Sequence, residues 1–182
     1  MKTKLFLLTF LTLTTLLFGQ AAERIATVRQ KVEAINTEKS YKIKKLDNDY
    51  FVNVKNEGTD GGQELSGYYK NGKLKKIVYS VGLSYGMETF EYFFSDDELI
   101  FVFEKQDKFA DVKDQSNQVT GLDHTKLESV YTGRFYFENS KLFSIKQTGK
   151  EIFTKMDKGK KEAELLKDSK VFRLELQKAK SK

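Results

Sequence analysis

Three copies of one short pattern constrain this chain more than anything else in it. Two aromatics, one free position, Asn or Asp, two small or polar residues and a Leu recur at three places. The copies are Tyr68-Tyr69-Lys70-Asn71-Gly72-Lys73-Leu74, Phe93-Phe94-Ser95-Asp96-Asp97-Glu98-Leu99 and Tyr136-Phe137-Glu138-Asn139-Ser140-Lys141-Leu142. Asn-Gly between β-prone runs is a strong hairpin signal, because both residues tolerate positive φ. Asp96-Asp97 and Asn139-Ser140 are weaker forms of the same turn, open to a two-residue turn or a four-residue loop. In each copy the second aromatic is expected opposite the Leu.

Strand alternation then assigns faces. In the middle hairpin Phe90, Tyr92 and Phe94 share a side with Leu99, Phe101 and Phe103, the expected core surface. Thr89, Glu91, Phe93, Ile100, Val102 and Glu104 take the opposite side. In the first hairpin Leu65, Tyr69, Leu74 and Val78 share one side, and Tyr68, Ile77, Tyr79 and Val81 the other. Apolar residues on both sides predict a sheet packed at least partly on both faces.

The N-terminus carries a separate signal. Lys2 and Lys4 precede an apolar or Thr-containing run from Leu5 to Phe18, and Gly19-Gln20-Ala21 supplies small residues at the spacing of a leader cleavage site. Residues 1–21 read as a signal peptide and residues 22–182 as one α+β domain. The apolar run is shorter than the roughly 20 residues of a membrane span, so no span is expected after cleavage. The mature chain is expected in the periplasm or outside the cell. The absence of cysteine excludes disulfides, a lipidated cysteine, thiolate zinc sites and a cysteine nucleophile. The modest net charge of +6 is spread over mixed Lys, Glu and Asp, which does not call for nucleic acid as a partner.

Along the mature chain, Ile25, Val28, Val32 and Ile35 form one apolar stripe, predicting a helix over Glu23 to Glu38. Tyr41 and Ile43 alternate with lysines, Asp47-Asn48-Asp49 reads as a turn, and Tyr50 to Val54 as a second short strand. Asp47, Asp49, Glu57 and Asp60 lack the Asp-x-Asp-x-Asp-Gly spacing of a calcium loop. Turn chemistry accounts for them, and no metal is expected. Gly82-Leu83-Ser84-Tyr85-Gly86 joins two strands and lacks the spacing of a phosphate loop. Lys105 to Thr125 is polar and reads as a long loop. It holds the single histidine, His124, which has no evident catalytic partner. Lys150 to Thr154 suggests a short strand. Lys158 to Lys180 reads as a second helix, with Leu165, Phe172, Leu176 and Ala179 near one face and Val171 and Leu174 off it.

The expected fold is therefore α+β: an antiparallel β-meander sheet of about six to eight strands, flanked by an N-terminal and a C-terminal helix. The stretch Gly61-Gly62-Gln63-Glu64-Leu65, Gly67-Tyr68-Tyr69, Asn71-Gly72-Lys73-Leu74-Lys75-Lys76-Ile77 resembles a group of uncharacterised exported bacterial proteins. In those a Gly-Gly-Glu-Leu run precedes a Tyr-Tyr hairpin and a Lys-Lys-Ile strand, and here Gln63 interrupts the run. The likeness continues through Glu91-Tyr92-Phe93-Phe94, Leu99 to Phe103 and Arg134 to Phe137. The hairpins also resemble the MORN type, in which Tyr-Tyr-x-Asn-Gly-x-Leu recurs. The first resemblance implies an envelope setting and no activity.

With no catalytic constellation and no cofactor motif, the expected function is a non-catalytic binding or interaction protein, its partner an envelope protein or a glycan. Tyr68, Lys75, Tyr79, Arg134 and Tyr136 are the expected partner-facing residues, on the second sheet face; the terminal helices covering that face would make them core instead. The alternatives are an inhibitor of an exported hydrolase, for which Lys105 to Thr125 would supply a protruding element, and a hydrolase using paired carboxylates such as Asp96-Asp97 or Glu91 with Glu104. Export has a direct test: mass spectrometry of the mature protein should find its N-terminus between Gln20 and Glu23. A retained leader embedded in the membrane would overturn the assignment.

Overall fold

The computed structural model describes residues 3–153 and 157–178, with side chains placed from Gln20 onward except at Lys158. Residues 1–37 form one compact unit and residues 38–182 another. The first consists of a single helix, α1 (Thr3–Thr37). It contains the predicted stripe Ile25, Val28, Val32 and Ile35 and continues through the leader pattern, whose Lys2 lies outside the described residues. Among the described residues no helix is long and apolar enough to cross a membrane.

The second unit is a seven-stranded antiparallel meander in which every strand pairs only with its neighbours in sequence. The strands are β1 (Lys42–Leu46), β2 (Gln63–Lys70), β3 (Lys73–Leu83), β4 (Gly86–Ser95), β5 (Glu98–Lys113), β6 (Val119–Glu138) and β7 (Lys141–Gly149). All three copies of the repeated pattern form two-residue turns, with the flanking pairs Lys70 with Lys73, Ser95 with Glu98 and Glu138 with Lys141. Both turn residues have positive φ in each: Asn71 and Gly72, Asp96 and Asp97, Asn139 and Ser140. This is the mirror-image turn that matches the twist of a hairpin. No four-residue loop is needed. The second aromatic sits opposite the Leu in every copy: Tyr69 with Leu74, Phe94 with Leu99, Phe137 with Leu142.

One residue beyond that Leu the register slips. Lys75, Ile100 and Phe143 are left without a partner as single-residue bulges, so the first aromatics Tyr68, Phe93 and Tyr136 pair with Lys76, Phe101 and Ser144. A bulge reverses the alternation of everything after it. The expected six-residue surface is therefore corrected. Phe90, Tyr92, Phe94 and Leu99 share a face with Val102 and Glu104, while Phe101 and Phe103 lie on the other face with Phe93 and Tyr136. The first hairpin is corrected in the same way: Ile77 and Tyr79 join Leu65, Tyr69 and Leu74, and Val78 turns away.

Two further expectations give way. Tyr50 to Val54 is no strand. Asp47 caps a helical turn, α2 (Asn48–Tyr50), its carboxylate accepting the Tyr50 amide, and the chain runs on as one wide π-helical turn over Phe51–Lys55. That geometry drops Phe51 into the core. Lys150 to Phe153 is not a strand either, and Thr154 lies outside the described residues. At the entry to β2, Gly61 and Gly82 meet backbone to backbone, Gly61 N donating to Gly82 O at 3.0 Å and Gly82 N to Gly62 O at 2.8 Å. A Cβ on Gly61 would fall 2.7 Å from the Gly82 Cα, so neither position has room for a side chain.

The second helix, α3 (Lys158–Lys178), lies across one face of the sheet; the predicted Ala179 and Lys180 fall outside the described residues. Asp157 caps it, accepting the Lys160 amide at 2.9 Å. Leu165, Phe172 and Leu176 point inward and Val171 and Leu174 outward, resolving the orientation. The apolar core is the layer between α3 and the sheet: Leu65, Ile77, Tyr92, Phe94, Val102, Phe135 and Phe137 under Leu165 and Leu176, with Phe172 against Tyr79 and Tyr92. Phe94 is almost completely buried in this layer. Truncating Phe94 to Ala should cost about 3–5 kcal/mol in urea unfolding; a loss under about 1 kcal/mol would place Phe94 outside the core.

Candidate functional site

The five expected partner-facing residues do not form one surface. Tyr68, Arg134 and Tyr136 lie on the face away from α3. Tyr68 meets Tyr41 edge to face at 5.8 Å, Arg134 stands over the Phe103 ring, and Tyr136 is buried against Phe101. Lys75 is a bulge residue. Tyr79 lies on the α3 face, where its hydroxyl donates to Gln63 Oε1 at 2.6 Å and its ring packs on Phe172. The bulge at Lys75 is what carries Tyr79 across.

The strongest concentration of charge in the interior went unanticipated. Past the bulge at Ile100, alternation delivers Glu104 and Gln106 to the helix side of β5, and β4 places Glu88 directly beside Gln106. Gln106 Nε2 donates to Glu88 Oε1 at 2.8 Å and to Glu104 Oε1 at 2.9 Å, and its Oε1 accepts the Ile152 amide at 2.8 Å. From the first turn of α3, Lys161 reaches down to Glu104 Oε2 at 2.8 Å and to Glu151 Oε1 at 3.4 Å. Glu104 and Gln106 are completely buried, and Lys161 and Glu88 nearly so.

Burial governs the protonation of this cluster. Desolvation, reinforced by the charge of Glu104, pushes Glu88 up to about 7 against the pull of Gln106 and Lys161. Glu104 is raised by the same burial, opposed by Lys161. Burial works against a charged Lys161, but Glu104, Glu151 and Glu88 outweigh it and hold the ammonium protonated. In chemical terms this is a carboxyl pair bridged by an amide and capped by an ammonium. Gln106 also fixes the backbone after β7, and Lys161 fixes the start of α3, so the cluster fastens the connection from sheet to helix.

The predicted loop Lys105 to Thr125 is instead the outer half of the longest hairpin. β5 pairs with β4 only as far as Lys108, and β6 pairs with β7 only from Tyr131 onward. Phe109 to Leu127 thus extends past both neighbours as a two-stranded arm. Asp114 organises its tip, accepting from the Ser116 amide and hydroxyl and the Gln118 amide at 2.7–3.0 Å. Asp123 organises a kink halfway along, accepting the Thr125 amide and hydroxyl; there Phe109 pairs with Leu127 and Ala110 with Asp123, so three residues bulge out. His124 is one of them, its ring 4.5 Å from that of Phe109. Composition alone did not reveal this hairpin, because neither face of an arm in solvent needs apolar alternation.

No protein-family model matches the chain, and no curated protein or solved structure matches it.

The raised Glu88 has a thermodynamic consequence. Between its ordinary range near 4.5 and about 7 the folded protein binds a proton that the unfolded chain does not, so this group costs stability as pH rises through that window. Glu88→Gln keeps the acceptor for Gln106 and removes the charge facing Glu104. It should stabilise the protein by about 1–3 kcal/mol near pH 8 and change little near pH 4. A gain at pH 8 that persists unchanged at pH 4 would overturn the assignment.

Proposed function

We propose that this chain is an exported, non-catalytic interaction protein of the bacterial envelope that engages its partner through the β5–β6 arm. The observation that carries this reading is the arm itself: an ordered hairpin that leaves the sheet and exposes three large aliphatics. Val112, Val119 and Leu127 are 45 %, 58 % and 45 % exposed. Large apolar side chains on a thin element outside the core contribute little to folding, and they suit contact with a second surface. Export is supported by the leader pattern from Lys2 to Ala21 and by the resemblance of the Gly61–Ile77 stretch to exported proteins. The non-catalytic reading is supported by the enclosure of Glu88 and Glu104, a carboxyl pair raised by burial, beneath Lys161.

The partner is an envelope protein or a glycan. A protruding ordered hairpin favours one version in particular, in which the arm enters the cleft of an exported hydrolase and inhibits it. The test is a triple variant, Val112→Ser, Val119→Ser and Leu127→Ser, which leaves the core untouched. Its circular dichroism should match the parent, and it should lose the parent's partner from envelope extract and any inhibition of an exported lysozyme. Recovery of the same partner by the variant would withdraw the arm as the contact. Turnover of peptidoglycan by the parent, abolished in Glu88→Gln, would replace the interaction protein with an enzyme.

A further inference from the structure

Beside the last described turn of α3, a groove of about 660 Å³ opens along β1 and the first hairpin, within the range of small-ligand sites. Its apolar floor is the half-buried Tyr69, beside which Leu176 is fully enclosed. Leu176 sits directly on the strand because residue 67 is glycine; a Cβ there would come within 2.7 Å of the Leu176 Cδ1.

The walls are basic. Lys42 and Lys44 are two residues apart on β1 and so share one side, across from Tyr69 and Gly67 respectively. Lys70 closes the groove, but its charge is matched: Nζ lies 2.7 Å from Glu38 Oε2 and 2.6 Å from Ser40 Oγ. The hydrogen bonds from Lys70 and Ser40 draw Glu38 down to about 2, so that carboxylate is committed. Three lysines elsewhere in the sheet are matched too, Lys45 by Glu64, Lys76 by Glu91 and Lys105 by Asp107, whereas Lys73 and Lys75 of the first hairpin are not, among the described residues. Lys42 and Lys44 make no ion pair among the described residues.

We propose that this groove binds an amphipathic anion, a carboxylate or phosphate head group held between Lys42 and Lys44 with its apolar body against the half-buried Tyr69 ring. Ammonium groups on alternate residues of one strand stand about 6–7 Å apart, close enough for one head group to accept from both. The charge fixes the head and the floor fixes the tail. The site is separate from the arm and stands or falls without it.

The experiment titrates the full chain with 8-anilinonaphthalene-1-sulfonate, an anionic aromatic, and with neutral N-phenyl-1-naphthylamine. The sulfonate should bind with one-to-one stoichiometry and be displaced by dodecyl phosphate. Lys42→Gln with Lys44→Gln should weaken it by at least about tenfold, leaving the neutral dye and the circular dichroism unchanged. Lys45→Gln, on the opposite side of the same strand, controls for net charge. Equal binding by the double variant, or an equal loss in Lys45→Gln, overturns the proposal. Sedimentation with phosphatidylglycerol or phosphatidylcholine vesicles separates the sources. Retention on the anionic vesicles alone, lost in the double variant, supports the proposal with a bilayer lipid as ligand. No retention on either vesicle, alongside sulfonate binding, supports it with a free amphiphile. Vesicle binding that survives the double variant overturns it.

Discussion

One slipped residue per hairpin decides which side chains meet α3. Each turn closes with both central residues at positive φ, and each is followed by a bulge at Lys75, Ile100 or Phe143. Without the bulge at Ile100, strict alternation would send Phe101 and Phe103 under the helix and Glu104 and Gln106 away from it. With it, Val102 joins the core and the two polar residues come to lie where Lys161 can reach them. The same slip at Lys75 brings Ile77 and Tyr79 inward. The bulges therefore distribute one sequence between a dry centre and a polar end of the same face.

The helix is held by a different interaction at each end. At its start, Lys161 pairs with Glu104 in full burial, an arrangement whose desolvation cost is comparable to its attraction; its effect is to define one position for the helix. In the middle, Leu165 and Phe172 bury apolar surface. Farther along, Tyr50 donates to Glu175 Oε2 at 2.5 Å and Lys55 lies 3.3 Å from Glu175 Oε1, while Arg173 Nη1 donates to Asp97 O at 2.8 Å at the β4–β5 turn. A helix sliding by one turn would lose all of these together.

Much of the fold was legible in the sequence because turn chemistry is local. Asn71-Gly72 announces a positive-φ pair by itself, and the same reading extends to Asp96-Asp97 and Asn139-Ser140. Seven strands and a C-terminal helix follow. Bulges are not local in that sense: nothing about Lys75, Ile100 and Phe143 as residue types marks them, and one missed residue inverts every later side chain. That inversion hid the Glu88–Glu104–Lys161 cluster and made Tyr79 look partner-facing. Tyr50 to Val54 alternates as a strand would, yet the Asp47 cap starts a helical turn. The groove was also hidden, since it is formed where α3 meets β1 and the first hairpin rather than by a motif.

The meander carries a kinetic consequence. Every strand pairs with a chain neighbour, so the sheet can form hairpin by hairpin without closing a loop across the whole domain. The helix is the exception. Tyr50 and Glu175, joined by a hydrogen bond, are 125 residues apart, and Gly67 awaits Leu176 across almost as much chain. A ribosome releases the hairpins before the 21 residues of α3. Until then Leu65, Ile77, Tyr92, Val102 and Phe135 form an uncovered apolar surface on an already paired sheet. During synthesis, that interval is when the chain is most exposed to aggregation and to chaperones that bind apolar surface.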